Sequence, residues 1–344
     1  DDWDYIAAKF NEMVFARTTP EQKLIIVDNL RNRGDNFVAV TGDGMNDAPA
    51  LKAADVGVSM GCGTDIAKEA AAIILLNNTF SSLLVGIENG RLVFANLKKV
   101  LLYLMTAGVY AEFVAVASHA YFGMQVPLSA FQQVMFCMTN DLIMSISLMY
   151  EKPEANLMDH PPRNARTDRL TDWRFFIQLS LLLGPLVWIS CMGMWFLYMS
   201  TQGLTFYDLI FAFGRWGPKW QSKSPDELLA MISTGQCIYY VTMAICQIGV
   251  LLAVRNRTVS LFDSNPLWGP RQNLFILFSI ACNVAICIII FYGYWIQVIF
   301  FTTPIPVNFW FIPFGSLAAI VLVDEVRKYF VRNYPISPIS KIAW

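Results

Sequence analysis

The sequence predicts a membrane α-helical bundle of six transmembrane helices, preceded by a partial α/β domain with a parallel sheet. Three observations carry this reading. Apolar residues make up 56% of the 344 and the mean hydropathy is +0.45, too apolar for an ordinary soluble chain. Beyond residue 100 the apolar residues gather into runs of about twenty, the length that crosses a bilayer. Before residue 80, short β-branched runs alternate with helical stretches, as in parallel strands joined by crossover helices. The formal net charge is −1, so nothing points to nucleic acid.

Taken in order, Met13-Val14-Phe15-Ala16 reads as a strand. Thr19 begins a helix as its N-cap, with Pro20 at the first helical position and Gln22 closing a capping box. This helix is predicted to reach about Arg33 and to stop at Gly34. A strand over 36–40 follows, then a helix from Asn46 to Ala54, a strand over 56–60, a helix over 64–72 and a strand over 73–76. From Phe80 to Phe122 no strong helix breaker occurs. A helix of about forty residues is about 60 Å long. The chain therefore divides into the partial α/β domain (1–79), a cytosolic stalk (80–99) and a membrane domain (100–344).

The six spans are 100–122, 127–150, 175–199, 232–254, 273–296 and 308–326. The turn from Gly123 to Val126 is short enough to make the first two an antiparallel hairpin. One side of the membrane carries Lys98, Lys99, Arg163, Arg166, Arg169, Arg255, Arg257, Arg271, Arg327 and Lys328; the other has only Arg215, Lys219 and Lys223. The positive-inside rule makes the first side cytosolic, and an even number of spans puts both termini there. Trp195, Tyr198, Tyr294, Trp295 and Trp310 lie near span ends, as interfacial belts do. The seven cysteines lack metal spacing and read as small core residues. The chain starts Asp1-Asp2-Trp3 without an initiator Met or a signal peptide, and is expected to be a fragment or a truncated gene product.

Two groups of residues carry chemistry. In Val40-Thr41-Gly42-Asp43-Gly44-Met45-Asn46-Asp47-Ala48-Pro49, a strand breaks into a loop with two carboxylates four apart. Ligands bind at the carboxyl ends of strands in such sheets, and hard oxygens beside phosphate hold Mg²⁺. Taken alone, Asp-Gly is also a common turn pair. In the spans, Glu112, His119 and Asp141 are ionisable, and Thr139 and Asn140 precede Asp141. A charge at mid-span costs about 2.5–3.5 kcal/mol on insertion scales, so it marks function or an interhelical hydrogen bond. His119, near the membrane face, reads more simply as an interfacial side chain.

The run 40–49 resembles the hinge motif of P-type ATPases, whose phosphorylation domain is of the haloacid-dehalogenase-like class. Three further stretches extend the resemblance: Ala16-Arg17-Thr18-Thr19-Pro20-Glu21-Gln22-Lys23; Asp55-Val56-Gly57-Val58-Ser59-Met60-Gly61; and Pro162-Arg163-Asn164 with Thr167-Asp168-Arg169-Leu170. With Val323-Asp324-Glu325-Val326-Arg327-Lys328 near the end, the chain resembles the carboxy-terminal third of a type II cation pump, nearest the sodium/potassium group. The resemblance implies that Lys23 holds phosphoryl oxygens, that Asp43 coordinates Mg²⁺, and that Asn46 and Asp47 position the aspartyl-phosphate. Thr41, Gly42 and Gly44 would line the cofactor. ATP would be bound mainly by the N-terminal region that this chain does not include. Asp141 would be the principal ligand of the transported cation and Glu112 an auxiliary one, with Asn140, Thr139 and Gln247 nearby.

The implied function is ATP-driven transport of monovalent cations through an aspartyl-phosphate cycle. The implied partners are the lipid bilayer, the cation, the N-terminal region of the same pump and, as an option, a small β-type subunit. The implied location is the plasma membrane. A Ca²⁺ or H⁺ pump of the same superfamily is the alternative within the class; a non-catalytic regulatory or scaffold protein is the alternative outside it. The family's Asp-Lys-Thr-Gly run is absent, so this chain alone is not expected to turn over ATP. Other departures lie in the membrane. Tyr110-Ala111 stands where the family has Pro-Glu, so Glu112 comes one residue late, about 100° around the helix. Cys137 replaces an aspartate and Gly108 an asparagine, and the fourth span here has no carboxylate. So few charged ligands argue against two or three simultaneous ions.

Overall fold

The computed structural model describes residues 5, 9–10, 12–33, 36–154, 157–159, 169–213, 223–269, 271–334, 336–338 and 340. Gly34, the 162–168 motif residues, Arg163, Arg166, Arg215 and Lys219 lie outside these. The chain divides into two compact units: Asp1–Arg91 with Leu157–Arg169, and Leu92–Asn156 with Leu170–Trp344.

In the first unit, helix α1 (Pro20–Asn32) begins as its sequence dictates. Gln22 N donates to Thr19 Oγ1 at 3.3 Å, and Thr19 N donates back to Gln22 Oε1 at 2.9 Å. Strands β1 (Ala39–Gly42), β2 (Val56–Met60) and β3 (Ile73–Leu75) form a parallel sheet in that order. β1 starts three residues later than expected. Helix α2 (Ala48–Ala53) joins β1 to β2, and α3 (Asp65–Ala70), capped by Thr64, joins β2 to β3. The middle strand supplies the core: Val58 and Ser59 are fully buried. The strand expected at 13–16 does not form, and Val14 is 95% exposed. β-branched residues favour a strand only where a neighbouring ladder pairs it. No strand pairs with 13–16 among the described residues.

The long helices are α4 (Ser82–Phe122), within which the division between the units falls, α5 (130–149), α6 (Trp173–Thr201), α7 (Pro225–Val254), α8 (Leu274–Tyr292) and α9 (Asn308–Asn333). All but α5 are long and apolar enough to cross a membrane. α5, expected as the second span, is helical throughout, but Gln132, Gln133, Thr139, Asn140 and Asp141 make it more polar. The fifth expected span is shorter than foreseen, because the helix breaks at Gly293 and a short helix, Tyr294–Phe300, follows. α7 is the pillar of the second unit. It packs on α6 and α9, and its most apolar window is 94% buried. Leu277, Ile288, Ile289 and Leu322 on α8 and α9 are exposed, as lipid-facing residues would be.

Three helices widen to π-helical turns: α4 over Leu104–Tyr110, α5 over Phe136–Asp141 and α6 over Gln178–Leu183. The turn in α4 packs against the other two. A π turn shifts the side chains after it around the helix and loosens its backbone pairing. The chemistry expected of this unit falls on and beside these turns.

Candidate functional site

The loop after β1 forms the first site. A 3₁₀ turn, Met45–Asp47, follows Gly44 and leads into α2. Asp47 turns back over β1. A Cβ on Gly42 would lie 2.5 Å from Asp47 Cβ and 3.0 Å from Oδ2, so only glycine leaves this space. Asp47 Oδ2 accepts from Gly44 N at 3.2 Å, and Oδ1 accepts from Lys23 Nζ at 2.6 Å. Lys23 comes from α1, which packs on α2. Burial pushes the Asp47 carboxyl up, but the Lys23 hydrogen bond, the Gly44 and Asp43 backbone amides and the Lys23 charge outweigh it. The net effect holds it below its ordinary value. Asp43 is anchored by its backbone, its carbonyl accepting from Thr64 N at 2.8 Å. Its carboxylate is exposed, as are Thr41 and Asn46. Lys23, Gly42, Gly44 and Asp47 are thus in contact, while Asp43 and Asn46 stand at the rim. An exposed carboxylate on the loop that carries the aspartate of a lysine–aspartate pair is a donor set that fits a hard cation and a phosphoryl group.

The second site lies on the π turns of the bundle. Asp141 is 5% exposed and ends the π turn of α5. Gln247 Nε2, on α7, donates to Asp141 Oδ1. Asp141 Oδ2 presses on Gly108 in the π turn of α4, where a Cβ would come within 3.3 Å of Asp141 Cγ and closer still to Oδ2. No lysine, arginine or histidine pairs with Asp141 among the described residues. Glu112 sits just past the π turn of α4 and accepts from Cys137 Sγ at 3.5 Å, one turn before Asp141. Cys137 is exposed, not the core residue that its apolar run implied.

The remaining expected ligands turn elsewhere. Thr139 Oγ1 donates to Met135 O at 2.6 Å and lies 2.9 Å from Asn140 Oδ1. Asn140 Oδ1 also accepts from Tyr240 OH at 3.1 Å, and its Nδ2 donates to Asn283 Oδ1 at 2.7 Å. Asn283 in turn donates to Ala244 O at 3.3 Å. The structure therefore brings Asp141 to Gln247 and Glu112 to Cys137, and it commits Thr139 and Asn140 to a separate buried network. Tyr240 and Asn283 were not foreseen. The available signal for Asn283 was a lone amide in an otherwise strongly apolar helix. His119 Nδ1 lies 2.5 Å from Met124 O, a helix-end contact outside both sites.

Comparison with known proteins places these sites in context. Residues 125–330 match the family described as cation transporting ATPase, C-terminus. Residues 25–87 match the haloacid dehalogenase-like hydrolase family, in agreement with the parallel sheet. Potassium-transporting ATPase alpha chain 2 of Oryctolagus cuniculus is 34% identical over 96% of this chain and 31% of its own length. The sodium/potassium-transporting ATPase subunit alpha of Tetronarce californica is 32% identical over 97% of this chain and 33% of its own. Subunit alpha-B of Artemia franciscana is 34% identical over 97% of this chain and 34% of its own. The chain spans about a third of the length of these relatives.

Proposed function

Since the chain belongs to the cation-transporting ATPase family and is an integral, multi-pass membrane protein, we propose that it is the C-terminal part of a pump that moves monovalent cations at the expense of ATP. The observation that carries the proposal is the buried Asp141, set on π turns of an apolar bundle without a cationic partner among the described residues. A carboxylate in that setting needs a counter-ion, a proton or strong donors. A single carboxylate supplies less negative charge than a divalent cation calls for, and so suits a monovalent one better. The one acid near it among the described residues, Glu112, accepts from Cys137 Sγ instead.

In the first site Lys23 and Asp47 position the phosphoryl group, with Gly42 and Gly44 giving the loop its close turn. Asp43 would hold Mg²⁺, which supplies neutralisation of phosphoryl charge when bound. Lys23 is engaged with Asp47, so a phosphoryl group would compete for the ammonium. The nucleophilic aspartate and the ATP-binding surface belong to the rest of the protein. The excess of Lys and Arg at one end of the spans makes that end, with both termini, cytosolic. The plasma membrane is the proposed location, and a β-type subunit is a partner of the complete pump.

One experiment tests both proposals, using the full-length protein in sealed right-side-out vesicles. ATP with Mg²⁺ should give phosphoenzyme only after detergent opens the vesicles. Asp43→Asn and Asp47→Asn should each lower its level or its turnover by about 100-fold or more. Phosphoenzyme formed by ATP outside intact vesicles reverses the orientation. Wild-type turnover in both variants reduces the motif to a turn.

A further inference from the structure

Gln247 was expected near the transported cation. Its amide turns the nitrogen, and not the oxygen, to the carboxylate. The side chain is fully buried on α7, and its Nε2 donates into Asp141 Oδ1. Its own oxygen, Oε1, is buried and meets no hydrogen-bond donor among the described residues. Turning the amide over would point Oε1 at a carboxylate, which is repulsive unless a cation or a proton lies between them. The amide thus leaves its acceptor unsatisfied in order to place an N–H on Asp141. An orphaned buried acceptor calls for an explanation. No other donor to Asp141 is found among the described residues; Oδ2 lies against Gly108, and Glu112 accepts from Cys137 Sγ.

We infer that the Gln247 amide is a built-in competitor of the transported cation, occupying the carboxylate of Asp141 when no cation is bound. The inference rests on the reading of Asp141 as the cation's carboxylate. The N–H end of the amide dipole carries partial positive charge, which makes it a neutral stand-in for a cation. Because the bond must be broken before the cation enters, Gln247 lowers cation affinity and keeps the ion-free state in one conformation. Gly108 completes the seat, since any larger residue would push the carboxylate from the amide.

The test measures the thermal midpoint of the full-length protein in a cation-free buffer and in rising KCl, NaCl or RbCl. A ligand at free concentration c that binds only the folded state stabilises it by RT ln(1 + c/Kd), so the rise of the midpoint with concentration reports its affinity. Gln247→Met keeps the length of the side chain without donor or acceptor. The competitor reading predicts a lower cation-free midpoint than in wild type, with a half-saturating cation concentration about tenfold lower. Gln247→Asn, one methylene shorter and still an amide, should shift both quantities the same way if the methionine variant does not fold. An unchanged cation-free midpoint overturns the inference, and a higher half-saturating concentration overturns it and makes Gln247 a ligand. Asp141→Asn separates this from the underlying reading. If it retains the wild-type cation response, the site itself is misassigned, whatever Gln247 does.

Discussion

At Asp47 two opposing effects meet, and the outcome can be measured. Desolvation raises the carboxyl, while the Lys23 ammonium at 2.6 Å and two backbone amides lower it further than burial raises it. A carboxyl whose folded value lies below its unfolded one stabilises the fold at pH above the unfolded value, about 3.9 for Asp. That stabilisation fades as pH falls through the folded value. The side chain of Lys23 is 37% exposed, so solvent screens part of the interaction. In acid-unfolding of the full chain, wild type should exceed Lys23→Met in stability above about pH 4, and the gap should close below it. A gap constant down to pH 2 would show that Lys23 contributes packing and not charge. Lys23 and Asp47 were legible in the sequence because motif and helix start are local patterns. Their contact was not, since 24 residues separate them.

Among the elements, the connections at one end of the bundle show how charge fixes geometry. Arg255, fully buried at the end of α7, donates through Nε to Glu151 Oε1 at 2.7 Å, through Nη1 to Ser264 O at 2.5 Å and through Nη2 to Arg271 O at 2.6 Å. Glu151 Oε2 accepts from Asn273 Nδ2 at 2.9 Å, which ties α5 to the start of α8. Next to it, burial pushes Glu154 up, but Lys99 at 3.0 Å and the Arg257 backbone amide more than reverse this and hold it below its ordinary value. Lysine cannot reproduce the planar fork of Arg255. Hydrogen bonds from charged groups contribute about 1.5–3 kcal/mol each, so Arg255→Lys should destabilise by roughly 2 kcal/mol or more. Thermal unfolding in detergent checks this, and an unchanged midpoint would make the cluster energetically idle. In the sequence these arginines counted only as positive charge on one side. Their buried pairing depends on loops that meet only in the folded bundle. The π turns were invisible for a related reason, since propensity separates helix from strand but not one helical winding from another. The missing strand at 13–16 is the converse case, a correct local preference without a neighbour to pair it.

On the scale of the molecule, the sequence was most legible where physics is least local in its demands. Bilayer thickness marks the apolar helices by length alone. The expected span that is not among the five long apolar helices, α5, is the one whose centre is polar, and that polarity is where the proposed chemistry lies. Asp141 stood out because a charge in an apolar run is costly. Asn283 did not, because a neutral amide leaves a weaker trace and its partner Asn140 is 143 residues away. The central claim is that the bundle holds a transported cation at Asp141. Its most direct test is cation-stimulated dephosphorylation of the full-length protein, scanned over Na⁺, K⁺ and Ca²⁺ with Asp141→Asn and Glu112→Gln. Asp141→Asn should raise the half-activating concentration of the monovalent cation by about 100-fold, some 2.7 kcal/mol at 1.36 kcal/mol per decade. Glu112→Gln, whose carboxylate is joined to Cys137, should raise it only a few-fold. An unchanged cation dependence in Asp141→Asn would contradict the claim and make the aspartate a structural acceptor for Gln247.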